Sequence, residues 1–382
     1  MEKVYFDNAA TTQMRDEVID KMCSVMKEVY GNPSSTHSFG RSAKTLVEQS
    51  RKTIAKLFNV SASEIIFTSG GTEADNLALN SSVRDLGVQR IITSKIEHHA
   101  VLHSIDYLKD NYGIKVHFVN LKKCGSIDRN HLEELLNSSD EKTLVSLMHV
   151  NNEIGNLLDV KKVGDLCKKY SALFHCDTVQ SVGHYELDFS ELKVDFTAVS
   201  AHKFHGPKGA GFAYIRKNSG LKPQIFGGEQ ERGFRAGTES VHNIVGLTEA
   251  LVLAYQNLPK ERAYISGLKN YFIEQLQTEI PEVKFNGNCG NPEKSTYTLV
   301  NVCLPVSAEK ALMLLFQLDM KGIACSKGSA CQSGSDKGSH VLSAFLTEED
   351  LAKPSLRFSF SKFNTKEEID YVVGILKDFV TS

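Results

Sequence analysis

Side chains able to do chemistry gather where apolar runs of this chain give out. The run Ile65-Ile66-Phe67-Thr68 is followed by Ser69, Gly70, Gly71 and Thr72. Small residues that open a helix expose backbone N–H groups at the positive end of its dipole, which makes a seat for phosphate. The same residues also read as a plain glycine turn closed by a threonine cap. The run Ala172-Leu173-Phe174-His175 leads into Cys176, Asp177, Thr178, Val179 and Gln180. An aspartate at the end of an apolar strand is costly unless a cation or several hydrogen bonds answer it. Its other reading is the N-cap of a following helix. After Phe196-Thr197-Ala198-Val199 come Ser200, Ala201, His202 and Lys203. A lysine between small residues at a strand end can point into a cleft, although most lysines are solvated. Lys208 competes with it, but Pro207 and Gly209 mark Lys208 as a turn residue. A last group spans residues 325–339, where Cys331 is surrounded by small and polar residues with nothing apolar to bury it. That setting predicts a mobile, solvent-accessible loop, whose thiol is reactive if its thiolate is favoured. Cys325, after Ile323-Ala324, reads as a core residue instead.

The three strand ends together meet the needs of one cofactor. Pyridoxal phosphate requires a lysine for covalent attachment, a carboxylate opposite its ring nitrogen and a cradle for its phosphate. Asp177 in that position keeps the nitrogen protonated and makes the ring an electron sink. The combination outweighs the separate alternatives.

The elements that position these residues follow from periodicity. Short apolar runs at 65–68, 90–93, 116–119, 144–148, 172–175 and 196–199 are mostly rich in β-branched or aromatic residues and bounded by turn residues. Helical patterns alternate with them, which predicts βαβ units and a largely parallel sheet. In residues 41–58, Ala43, Leu46, Val47, Ile54, Leu57 and Phe58 share one helix face; in 366–380, Ile369, Val372, Val373, Leu376 and Val380 do the same. Thr365 and Glu368 form a capping box for the second helix. Ser61 and Glu64 have the same spacing but precede a strand, so no cap is expected there. A helical stretch near 245–280 ends in the loop signal Asn286-Gly287-Asn288-Cys289-Gly290-Asn291-Pro292. The expected division is a large α/β domain over residues 15–257 and a smaller domain from residues 1–14 and 258–382.

With 382 residues and 41% hydrophobic content, the chain can bury a large core. A net charge of −2 and a pI of about 6.7 offer no field for nucleic acid or an anionic membrane. Neither a signal peptide nor a stretch long enough to span a bilayer is apparent, so a cytoplasmic protein is expected. The eight cysteines include no CxxC pair, which speaks against structural zinc and for reduced thiols.

The sequence resembles the cysteine desulfurases of the NifS/IscS kind, in the class V aminotransferase-like group of fold type I pyridoxal-phosphate enzymes. The resemblance runs over nearly the whole chain. It is carried by Tyr5-Phe6-Asp7-Asn8-Ala9-Ala10-Thr11-Thr12, Gly31-Asn32-Pro33-Ser34-Ser35-Thr36-His37, Thr68-Ser69-Gly70-Gly71-Thr72-Glu73 and Glu97-His98-His99-Ala100-Val101. It continues through His149-Val150-Asn151-Asn152-Glu153-Ile154-Gly155, Asp177-Thr178-Val179-Gln180, Ser200-Ala201-His202-Lys203 and Arg235-Ala236-Gly237-Thr238, then Gly328-Ser329-Ala330-Cys331 and Arg357-Phe358-Ser359. It implies a large domain with a mostly parallel seven-stranded sheet beside a smaller α+β domain.

The resemblance also implies roles. Lys203 would bind the cofactor, with His98 stacked on its ring and able to shuttle a proton. Asp177 would pair with the ring nitrogen and Gln180 with the ring hydroxyl. Gly71, Thr72, Ser200 and His202 would hold the phosphate. Thr238 would reach the phosphate of a second subunit, implying a homodimer. Asn152 and Arg357 would bind the substrate carboxylate region, for which an arginine fork is suited. Cys331 would take sulfur from L-cysteine as a persulfide, release alanine, and pass the sulfur to an acceptor or iron–sulfur scaffold. Cys176 stands where an aliphatic residue is expected and reads as a small core substitute. The alternatives are a selenocysteine lyase on the same fold, a class V aminotransferase, which needs no cysteine at 331, and a sulfur carrier, against which Lys203 and Asp177 speak.

Overall fold

The computed structural model describes residues 3–307, 310, 313–327 and 338–381. The chain opens with a short strand β1 (Val4–Tyr5) and helices α1 (Asp16–Glu28) and α2 (Ser38–Leu57). Strand and helix then alternate: β2 (Ile65–Thr68), α3 (Gly71–Leu86), β3 (Arg90–Thr93), α4 (His99–Tyr112), β4 (Lys115–Phe118), α5 (Arg129–Asn137) and β5 (Thr143–Ser146). Helix α6 (Val160–Lys169), then strands β6 (Leu173–Asp177), β7 (Phe196–Ser200) and β8 (Gly211–Ile215), complete the series. After the long helix α7 (Val241–Glu279) come β9 (Lys284–Phe285), β10 (Leu299–Cys303), β11 (Ile323–Ala324), β12 (Ser355–Ser359) and a helix Lys366–Thr381.

Seven strands form one sheet in the order β2-β8-β7-β6-β5-β3-β4. All neighbours run parallel except β8, which is antiparallel to both β2 and β7. This is the mostly parallel sheet that the sequence implied. Side chains alternate strictly between its faces. Ile65, Phe67, Ile92, Val145, Phe174 and Val199 join a core with α1, α2, α6 and α7. Ile66, Ile91, Leu144, Phe196 and Ala198 join another with α3 and α4. Burial on both faces explains why these strands read as continuous apolar runs. A further core surrounds the three-stranded sheet β12-β10-β9, and takes in Ile265, Leu268, Phe272 and Leu276 of α7.

Several boundaries differ from the sequence reading. Strand β6 runs on to Asp177 because it stays in register with β7, Asp177 opposite Ala198. Strand β8, for which no expectation was formed, follows a glycine-rich turn. The Ser61/Glu64 pair, where no cap was expected, is a genuine capping box. It closes a single 3₁₀ turn (Ala62–Glu64) that leads straight into β2, with Glu64 Oε2 accepting from Ser61 N at 2.8 Å. The Thr365/Glu368 box forms as expected, at 3.0 and 3.3 Å. The division expected at 257/258 falls inside α7, one residue before Pro259.

One buried ion pair fastens the segment 227–238 to the sheet. Arg51 on α2 donates to both oxygens of Glu231 at 2.6 and 2.8 Å, and both side chains are 2% exposed. Glu231 Oε2 also accepts from Phe67 N at 2.7 Å, at the end of β2. Removing Glu231 strips two bonds from the buried Arg51 guanidinium, which keeps Glu48 at 3.0 Å and Ile65 O at 2.7 Å, and takes the carboxylate from Phe67 N; breaking a buried pair costs up to about 3–5 kcal/mol. Glu231→Ala is therefore expected to lower stability by roughly that amount in urea unfolding. A variant as stable as the parent would mean that Glu48, 3.0 Å from Arg51 Nε, answers the guanidinium alone.

Candidate active site

A cavity of about 220 Å³ opens at the carboxyl ends of β6 and β7, where open α/β sheets take their ligands. Asp177 is the last residue of β6 and Ser200 the last of β7. Both reach the cavity, β7 running two residues past the Ala198 that faces Asp177. A 3₁₀ turn (Ala201–Lys203) follows β7 and brings His202 and Lys203 to the same place. Lys203 Nζ donates to Ala9 O at 2.8 Å and Ala10 O at 2.7 Å. Lys208 does not line the cavity.

Gly71 and Thr72 begin α3 on the cavity wall. First-turn N–H groups of a helix have no intrahelical partner, so they remain available to an anion. Gly70 before them has φ +152°, a conformation glycine adopts freely. A Cβ on Gly71 would meet Val179 Cγ2 at 2.4 Å. The cradle is therefore open only because that position has no side chain.

His98 is the N-cap of α4, and its Nδ1 accepts from Ala100 N at 3.1 Å. That bond leaves Nε2 to carry the proton. Burial, helped by Lys203, holds His98 down to about 4, so the ring is neutral at neutral pH. Burial pushes the Asp177 carboxyl up to about 6, against the pull of Val179 N–H and Lys203. Val179 N donates to Asp177 Oδ1 at 2.8 Å. Gln180 Nε2 donates to Ala9 O at 2.8 Å, so the two site residues Gln180 and Lys203 share that carbonyl.

Arg357 enters from β12 and is 1% exposed. Its Nη1 donates to Asn152 O at 2.7 Å and its Nη2 to Asp7 Oδ1 at 2.8 Å, while buried Nε has no partner among the described residues. A guanidinium with donors to spare at a cavity wall is equipped to fork a carboxylate. Asn152 lines the cavity beside it.

Ten of the residues singled out from sequence thus meet around one cavity. Thr238 does not line it; it is exposed in the segment after Gly237. Cys331 lies outside the described residues. On either side of it, Ser326 and Arg357 exchange backbone hydrogen bonds at 2.7 and 3.2 Å, and Ser339 Oγ donates to Glu153. Cys325 packs against the core around β10, and burial pushes its thiol up to about 12. Cys176 is fully buried in the main core. Sequence reasoning assigned no role to Asp7, the partner of Arg357, or to Asp75, which lines the cavity at 1% exposure. Asp75 was findable as a carboxylate on the α3 stripe that also buries Gly71, Ala78 and Ser82.

A primary amine, a buried carboxylate and an open helix terminus around one cavity fit pyridoxal phosphate. Among the described residues no His, Cys, Asp and Glu group is arranged to hold a metal.

Comparison with known proteins agrees. The Aminotransferase class-V family profile matches residues 4–372. A Dictyoglomus turgidum protein named cysteine desulfurase IscS is 40% identical over 382 residues, covering 99% of this chain and 94% of its own. A Bacillus subtilis protein named putative cysteine desulfurase IscS 1 is 40% identical over 384 residues, covering 100% and 99%. The solved structure of a NifS-like protein superposes with a TM-score of 0.90 at 35% identity, covering both chains fully. This chain belongs to the class-V aminotransferase family, among its cysteine desulfurases of the NifS/IscS kind.

Proposed function

We propose that this protein removes sulfur from L-cysteine with pyridoxal phosphate on Lys203, giving L-alanine and a persulfide on Cys331. The observation that carries the reading is the meeting of Lys203, Asp177 and Arg357 in one cavity. When bound, pyridoxal phosphate condenses with amines and draws electrons away from the substrate Cα. The first turn of α3, with Ser200 and His202, would hold the phosphate. Asp177 would answer the ring nitrogen, Gln180 the ring hydroxyl, and neutral His98 would hold the ring. Arg357 and Asn152 grip the substrate carboxylate, which fixes the Cα proton near Lys203. Lys203 Nζ would be the base that takes that proton. Cys331 Sγ then attacks the substrate sulfur. An S–S bond forms as the C–S bond breaks, and the released pair is protonated in what leaves as L-alanine. The described residues flanking Cys331 are tied to Arg357 and Glu153, which supports its reach to the site.

The wider reading has four parts. Residues 15–257 form the cofactor-binding domain, and residues 1–14 with 258–382 form the smaller one, with α7 passing between them. Two copies associate so that Thr238 of each serves the other's phosphate site. The protein works in the cytoplasm, and Cys331 hands its sulfur to an acceptor such as an iron–sulfur scaffold protein. Substrate competition between cysteine and selenocysteine separates this reading from a lyase.

Three outcomes are expected. Borohydride reduction followed by peptide mapping should place the cofactor on Lys203; an adduct on Lys208 would contradict the assignment. Arg357→Lys loses the fork and should raise KM for cysteine by about ten-fold or more while the cofactor stays bound. Loss of the yellow colour in that variant would make Arg357 a structural residue. Cys331→Ser keeps the shape and removes the nucleophile, so alanine release should nearly vanish although L-cysteine still perturbs the visible spectrum. Turnover at the parent rate would exclude the persulfide route.

A further inference from the structure

Beneath the cavity, α3 and β6 enclose a second set of polar groups. Leu173, His175 and Asp177 alternate onto the face of β6 that packs against α3 and α4. His175 is fully buried, with Nδ1 2.9 Å from Ser146 Oγ and Nε2 3.3 Å from Asp75 Oδ1. Neither Asp75 Oδ1 nor His175 Nε2 makes a hydrogen bond among the described residues, although the two atoms face each other. Glu97 is buried nearby and accepts from Ser94 Oγ at 2.6 Å and Met148 N at 2.8 Å.

Three carboxyl groups therefore share one dry region with His175, His98 and Lys203. Like charges this close in a low dielectric do not all ionise. Burial, then the charges of Asp177 and Glu97, raise Asp75 well above the usual carboxylate range. Burial raises Glu97 to about 8 and holds His175 down to about 3. The 2.9 Å contact between His175 Nδ1 and Ser146 Oγ allows either tautomer; with the proton on Nδ1, the neutral ring keeps a lone pair on Nε2, facing Asp75. Two lone pairs 3.3 Å apart repel, and a proton on the carboxyl removes the conflict.

We propose that Asp75 is a neutral carboxylic acid hydrogen-bonded to His175 Nε2, forming an uncharged chain Asp75–His175–Ser146 that leaves Asp177 as the anion facing the cofactor nitrogen. Asp75 and His175 are positioning residues in this role. An ionised Asp75 would spread the field at the cavity floor over two carboxylates, and the ring nitrogen would no longer be addressed by Asp177 alone. The proposal rests on the cofactor reading above.

The test uses holoenzyme carrying ¹³C in its aspartate side-chain carboxyls. Infrared spectra at pH 8 should contain a protonated aspartic acid band, and Asp75→Asn should remove it. Absence of that band from the parent protein would overturn the proposal, and this measurement needs no variant to fold. An amide at 75 still donates to His175, so Asp75→Asn should keep the cofactor dissociation constant within about two-fold and leave the pH midpoint of the visible band in place. Asp75→Ala leaves His175 Nε2 without a donor and should weaken cofactor binding by about ten-fold. A midpoint moved in Asp75→Asn by about one pH unit would mean that a charge was removed, which also overturns the proposal. A protein that binds no cofactor would defeat the cofactor reading, while the infrared band would still report the state of Asp75.

Discussion

An amine held at the end of a buried strand must be answered by oxygen atoms, and for Lys203 those come from the far end of the chain. Ala9 and Ala10 supply carbonyls some 194 residues away in sequence. They face the lysine because their own stretch is fixed on two sides. Thr12 N donates to His202 O at 2.9 Å, and Ala9 N donates to Ser359 Oγ at 2.8 Å. Asn8 Nδ2 adds a bond to Ser359 O at 2.8 Å, and β1 pairs with β11. The segment is thus tied at once to the turn at the carboxyl end of β7 and to the smaller sheet that carries Arg357. Hydrogen bonds from a charged donor contribute about 1.5–3 kcal/mol each. The geometry between Lys203 and Arg357 is therefore set by a strap that neither sheet provides alone.

Burial governs the charge of the site more than pairing does. It holds His98 and His202 down to about 4, each as the largest influence. The imidazoles around the cavity are consequently hydrogen-bonding groups and ring surfaces at neutral pH, with little positive charge of their own. The lysine and the arginine that line the cavity are Lys203 and Arg357. These are the two groups whose proposed partners, an aldehyde carbon and a carboxylate, call for an amine and a guanidinium.

Much of the site was legible because parallel strands buried on both faces leave an unbroken apolar run, and the run ends where chemistry can begin. Asp177, Ser200, Lys203 and Gly71 all sit one to three residues past such an ending or at it. What sequence concealed was long-range pairing. Asp7 and Arg357 are 350 residues apart, and nothing in either local pattern announces their 2.8 Å contact. Asp75 needed the orientation of α3 as well as its existence. The strands β9 and β11, at two residues each, are too short to show a period. The Ser61/Glu64 box failed as a helix signal for a different reason: its geometry requires only one turn, and the chain makes a single 3₁₀ turn there before entering β2.

Helix α7 has a mechanical consequence. Its 39 residues make a rod of about 58 Å. Val241, Ile244 and Leu251 near its start are embedded in the main core, while Ile265, Phe272 and Leu276 further on are embedded in the other. Both cores are thus bolted to a single beam. Pro259 lies between the two bolted stretches, and there the ladder lacks one N–H donor. Stiffness is lowest at that joint. Any displacement of Arg357 relative to Lys203 must therefore flex the beam there, and the bending stiffness of a single turn of helix sets how far the substrate grip can travel from the amine it serves.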